Sequence, residues 1–100
     1  MTEKQIEQYL RDRIKELGGK AYKFVSPGND GVPDRLVVLP GGKVLFVELK
    51  APGKKPTPLQ EKQMKTLTDL GQDVGVVSSK ADADACIEYC EMCIARRGSL

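Results

Sequence analysis

The sequence predicts an α/β fold, a small mixed β-sheet flanked by helices in the order αβββαβα. Three observations predict it. Apolar residues recur at helical spacing near both ends and once past the middle. Short alternating or all-apolar runs rich in β-branched residues lie between them. The last such run follows a helix, so its strand should return by a crossover and lie parallel to a neighbour.

Residues 2–17 read as a helix, because Ile6, Leu10, Ile14 and Leu17 recur at spacings of four, four and three, and Gly18-Gly19 stops it. "AYKFV" (21–25) alternates as a strand does, and "SPGNDGVP" is a loop dense in turn formers. Two strands follow, about 34–39 and 43–50, joined by Pro40-Gly41-Gly42, and "APGKKPTP" is a second loop. A helix from Pro58 to about Leu70 should face Leu59, Met64 (or Gln63), Leu67 and Leu70 inward. "DVGVVSS" is a nearly all-apolar strand, the pattern of one covered on both faces. The last helix runs from about Ala81 to Ile94, leaving "ARRGSL" as a frayed tail. One hundred residues of 40% hydrophobic content suffice for one core, so a single domain is expected over 1–100, its core about 3–94.

Composition excludes some functions. No apolar run in the strands exceeds four residues, far short of a membrane span. The opening "MTEKQIEQYL" is charged and amphipathic rather than a signal peptide, so a cytoplasmic protein is expected. Cys86, Cys90 and Cys93 crowd one stripe of the last helix, and an odd count there is a poor disulfide framework. They read as core packing. With no fourth cysteine and no histidine, neither an iron–sulfur cluster nor a zinc site can be completed. The net charge is only +2, but Asp34 to Lys65 carries seven basic residues against three acidic ones. Beside a site that excess would attract a polyanion, but by itself it reads first as a solvated face of ordinary lysines.

The charges inside the paired strands are the informative feature. If Pro40-Gly41-Gly42 is a three-residue hairpin loop, Leu39 faces Lys43 and Asp34 lies directly opposite Glu48. Opposed residues have Cβ atoms roughly 4.5–5.5 Å apart on one face, where like charges destabilise the pair. A two-residue turn would instead set Asp34 against Leu49, on the wrong side of the sheet. Two adjacent carboxylates can share a proton, take a Lys or Arg between them, or hold a cation. Lys50 shares the Glu48 face, while Leu49 points into the opposite layer. Two acids and one ammonium still carry net negative charge, and a hard divalent ion such as Mg²⁺ would complete them.

Pro33-Asp34, thirteen intervening residues and Glu48-Leu49-Lys50 resemble the PD-(D/E)xK nuclease signature. "KFVSPGNDGVPDR", "FVELKAPG" and "TPLQEKQMKTLTDLG" resemble one branch of that superfamily, the VRR-NUC (virus-type replication-repair nuclease) domain, over about residues 3–80. The resemblance implies a restriction-endonuclease-like core and a metal-dependent DNA nuclease, and in stand-alone members a homodimer related to Holliday-junction resolvases. It implies that Asp34 and Glu48 hold Mg²⁺ or Mn²⁺, with the Leu49 carbonyl as a third protein ligand and Lys50 assisting the attacking water. It also assigns Gln60 to the active site, although Thr57-Pro58-Leu59-Gln60 equally fits a helix capping box. It places an acid from the first helix near the metal, Glu7 in preference to Glu3, though a solvated helical carboxylate fits too.

Lys23, Ser26, Arg35, Lys54 and Lys55 are the candidate DNA contacts, while Lys23 could also snorkel from a strand end. Asp30 serves the turn. The expected function is hydrolysis of phosphodiester bonds in duplex or branched DNA, four-way junctions included, by a bacterial or viral homodimer. The alternative is a DNA-binding or interaction module that keeps this fold without cleaving.

Overall fold

The structure, a computed structural model, describes residues 1–98. Helix α1 (Glu3–Glu16) is followed by strands β1 (Lys20–Lys23), β2 (Arg35–Val38) and β3 (Val44–Leu49), helix α2 (Pro58–Asp69), strand β4 (Asp73–Val77) and helix α3 (Lys80–Gly98). The sheet runs β1-β2-β3-β4, antiparallel except for β3 and β4, which are parallel across the α2 crossover. The element order and the mixed sheet are those the sequence predicts.

α1 starts where Thr2 and Gln5 close a capping box, each side chain bonding the other's backbone amide. It then buries Ile6, Leu10 and Ile14 completely, at roughly 1.5–3 kcal/mol per side chain. These pack with Ala83, Ile87, Cys90 and Cys93 of α3 onto one face of the sheet, formed by Ala21, Val37, Leu39, Leu45, Val47, Leu49 and Val77. The cysteines are free thiols, and Cys90 and Cys93 are buried in this core.

Strand alternation sends the intervening residues to the other face, which α2 covers over β4. α2 buries no residue fully. Gln63, Met64 and Leu67 turn toward the sheet and are half-buried, but Leu59 and Leu70 are exposed, against the expectation that both face inward. Leu70 is the cap beyond the last turn, and Leu59 leans instead on the loop at Gly31.

β4 is an edge strand with α3 on one face and α2 on the other, the two-sided cover its apolar run predicts, although Val76 stays 40% exposed. α3 continues through Ala95 to Gly98, where a frayed tail was expected; Ser99 and Leu100 lie outside the described residues. Among the described residues no helix is long and apolar enough to cross a membrane.

Candidate metal centre

The hairpin sets the site. Leu39 donates to Lys43 across Pro40-Gly41-Gly42, and the ladder pairs Val38 with Val44, Leu36 with Phe46 and Arg35 with Val47. One step beyond Arg35 the same register puts Asp34 opposite Glu48, the arrangement a three-residue loop requires. Asp34 itself precedes the strand. Its carbonyl accepts from the Phe24 amide (2.8 Å), which continues the β1 pairing, and the neighbouring Pro33 is fully buried.

The two carboxylates have opposite surroundings. Asp34 is exposed, and its Oδ2 accepts a 2.8 Å hydrogen bond from the Leu49 amide. Glu48 is 1% exposed, and neither of its carboxylate oxygens has a hydrogen-bond partner. A buried, unpaired carboxylate is costly, so the proton is favoured over the charge. Burial, followed by the adjacent Asp34 carboxylate, pushes the Glu48 pKa up to about 8, against smaller opposing pulls from the Lys50 ammonium and the Leu49 backbone N–H. Lys50 lies just past β3, on the Glu48 face, with its amide bonded to the Val77 carbonyl (3.0 Å).

These groups fit a hard divalent cation. Glu48 offers two buried acceptor oxygens with nothing to accept, and Asp34 stands beside them. Among the described residues no three His, Cys, Asp or Glu side chains converge, so the side-chain donors are these two acids. That number matches Mg²⁺, which binds through one or two carboxylates and retains several waters.

Beside the carboxylates a groove of about 440 Å³ runs between the start of α1 and the loop 24–32. Glu3, Glu7, Lys23, Ser26, Asp34 and Arg35 are among the residues lining it. Glu7 and Arg35 are bonded to one another in an ion pair, and the guanidinium, only 12% exposed, also reaches the Ala21 carbonyl. Arg35 is thus spent within the fold rather than presented to solvent, and Glu7 is the group that holds it. Ser26 accepts from the Asn29 side chain at 2.9 Å and helps shape the loop. Lys23 is exposed at the groove's edge.

Lys54 and Lys55 are exposed on the loop before α2 and do not line this groove. Gln60 closes the capping box: its Oε1 accepts from the Thr57 amide (2.9 Å) and its own amide donates to Thr57 Oγ1 (3.2 Å). Asp30 lies in the loop, and its carbonyl accepts from the Gln63 side chain (3.2 Å).

The pairing of Glu7 with Arg35 is not legible in the sequence. The two residues lie 28 positions apart, and no local pattern links them. Nor does the sequence signal that Gln63, a candidate for the inward face of α2, ties that helix to the loop through the Asp30 carbonyl.

Known proteins resemble this chain in sequence and in fold. The profile of the VRR-NUC domain matches residues 1–81. A protein of Acyrthosiphon pisum secondary endosymbiont phage 1, named "Putative nuclease p44", is 55% identical over 80 residues, covering 80% of this chain and 86% of its own length. A solved structure described as a VRR_NUC domain superposes with a TM-score of 0.82 at 35% identity, covering 89% of this chain and 98% of its own. The chain belongs to the VRR-NUC domain family.

Proposed function

We propose that this protein is a Mg²⁺- or Mn²⁺-dependent DNA endonuclease acting on branched DNA, four-way junctions included, as a homodimer. The observation that carries the reading is the pair of opposed carboxylates, one of them buried with both oxygens unpartnered. Asp34 and Glu48 hold the ion, with the Leu49 carbonyl as third protein donor. When bound, the ion supplies a water of lowered pKa and positive charge at a phosphoryl oxygen.

Lys50, on the same face, stabilises the negative charge that builds on the phosphate and handles the proton of the attacking water. Gln60 supports the site by holding the start of α2, and Glu7 does so by holding Arg35. Lys23, with Lys54 and Lys55 further out, attracts the phosphate backbone.

In this reading DNA shape and phosphate positions, rather than base sequence, select the substrate. Two copies on a two-fold axis would match a symmetric branch. The phage relative suits a protein working on DNA in a bacterial cytoplasm.

The test is incubation with linear, flap and four-way DNA in Mg²⁺, Mn²⁺ or EDTA, beside Lys50→Ala. Metal-dependent cutting that the variant loses is expected. Binding without nicking, equal in the variant and independent of metal, would instead identify a non-cleaving module. Light scattering should show a dimer; a monomer both on and off DNA removes that part of the reading.

A further inference from the structure

The sheet face that carries Asp34 and Glu48 also carries three of the chain's five aromatic side chains. Tyr22 opposes Leu36, which opposes Phe46, so these form one row across three strands. Phe24 stands in the next row, with Asp34 and Glu48, and meets Phe46 edge-on with centroids 5.4 Å apart. Phe24 and Phe46 are half-buried by that contact. Tyr22 is 49% exposed, because α2 covers the β4 side of this face and leaves the β1 side open. Lys20, two residues earlier on the same face, sets its ammonium 4.8 Å from the centre of the Tyr22 ring.

We propose that Tyr22 is a stacking platform for one unpaired base of branched DNA, with Lys20 meeting the adjacent phosphate. The inference rests on the proposed nuclease function and names the feature of the substrate that the site selects. An exposed aromatic ring beside a cation is the chemistry that holds single-stranded nucleic acid. Tyr22 is the diagonal neighbour of Asp34, about 7–8 Å away in such a ladder. That span is roughly two stacked base steps of 3.4 Å, so the stacked base belongs to a nucleotide near the phosphate at the carboxylates. Bases inside a duplex already cover one another, and only an unpaired one is free to cover the ring.

Charge decides against a second copy of the chain as the occupant of this face. A two-fold packing centred on Tyr22 would bring two Lys20 ammoniums together, and β1 (KAYK) contains no acid to offset them. A phosphate beside the ring meets that ammonium with opposite charge.

The experiment places 2-aminopurine as an unpaired base at the branch of a flap and titrates protein in EDTA, so that no strand is cut. Blunt duplex serves as control, and wild type, Tyr22→Ala, Tyr22→Phe and Tyr22→Trp are compared. Wild type should quench the probe. Tyr22→Ala should lose the quench and bind the flap roughly 5- to 150-fold more weakly, the range of base–aromatic stacking, while duplex affinity stays within about twofold and the aromatic variants restore both.

An unchanged quench and affinity in Tyr22→Ala overturns the proposal, as does equal weakening on flap and duplex. So does a dimer that becomes a monomer on Tyr22→Ala, which would give this face to a second copy. Wild type that gives no quench in EDTA overturns the proposal; wild type that also neither binds nor cuts DNA in Mg²⁺ or Mn²⁺ overturns the nuclease reading as well, whereas failure of Tyr22 alone leaves that reading standing.

Discussion

Asp34 Oδ2 accepts a 2.8 Å hydrogen bond from the amide of Leu49, the residue after Glu48. The bond runs across the hairpin and holds one acid beside the other, so the fold itself maintains the repulsion that a cation would relieve. Mg²⁺ at saturating concentration, at about pH 8, should therefore stabilise the protein. At 100 times its dissociation constant the gain is about 2.7 kcal/mol, read as a rise in unfolding temperature. Asp34→Asn should abolish most of that rise and weaken calorimetric Mg²⁺ uptake at least tenfold. A full Mg²⁺ response in the variant would remove Asp34 from the site.

Without metal, Glu48 makes stability fall as pH rises. Its pKa is raised from 4.5 to about 8 in the fold, so the native state holds a proton that the unfolded chain has released. That contribution is complete below pH 4.5, declines through the window and is gone above about pH 8. Urea titrations in EDTA should give a higher midpoint at pH 5 than at pH 8.5. Glu48→Gln should flatten this dependence and abolish DNA cleavage.

The Glu7–Arg35 pair should behave as a bonded unit. Its side chains are 31% and 12% exposed, so Glu7→Gln leaves a guanidinium largely out of water with little beyond the Ala21 carbonyl. The expected cost is about 1–3 kcal/mol, and a double-mutant cycle with Arg35→Met should return a coupling of about 1–2 kcal/mol. Additive effects would show that the pair contributes nothing.

Gln60 can be separated from the chemistry by its cap. Gln60→Ala should lower stability by about 1 kcal/mol, as loss of a helix cap does, and Thr57→Ala should do the same. Gln60→Glu keeps an acceptor for the Thr57 amide and should leave the unfolding temperature within about 2 °C of wild type. Loss of cleavage in that variant at unchanged stability would move Gln60 from a supporting to a direct role.

Gly31 sets how closely the loop approaches α2. Its φ is +88°, and a Cβ there would sit 3.0–3.1 Å from Leu59, including its backbone carbonyl. Gly31→Ala should destabilise by about 1–3 kcal/mol and, by pushing the loop before Asp34 off α2, reduce cleavage more than the stability loss explains. Retained stability and activity would show that the approach is not constrained.

The element order, the parallel last strand and the opposition of Asp34 to Glu48 all follow from the sequence alone. Each depends on neighbours in the chain: helical spacing in Ile6, Leu10 and Ile14, a three-residue loop at Pro40-Gly41-Gly42, and the two-residue alternation of strands. Four features were decided only in three dimensions: the Glu7–Arg35 pair, the exposure of Leu59 and Leu70, the edge position of β4, and the burial of the Glu48 oxygens without a hydrogen-bond partner. Each of these is a meeting, or a failure to meet, between segments far apart in sequence. Local propensity gives a side chain its direction, but what covers or bonds it depends on how distant elements pack.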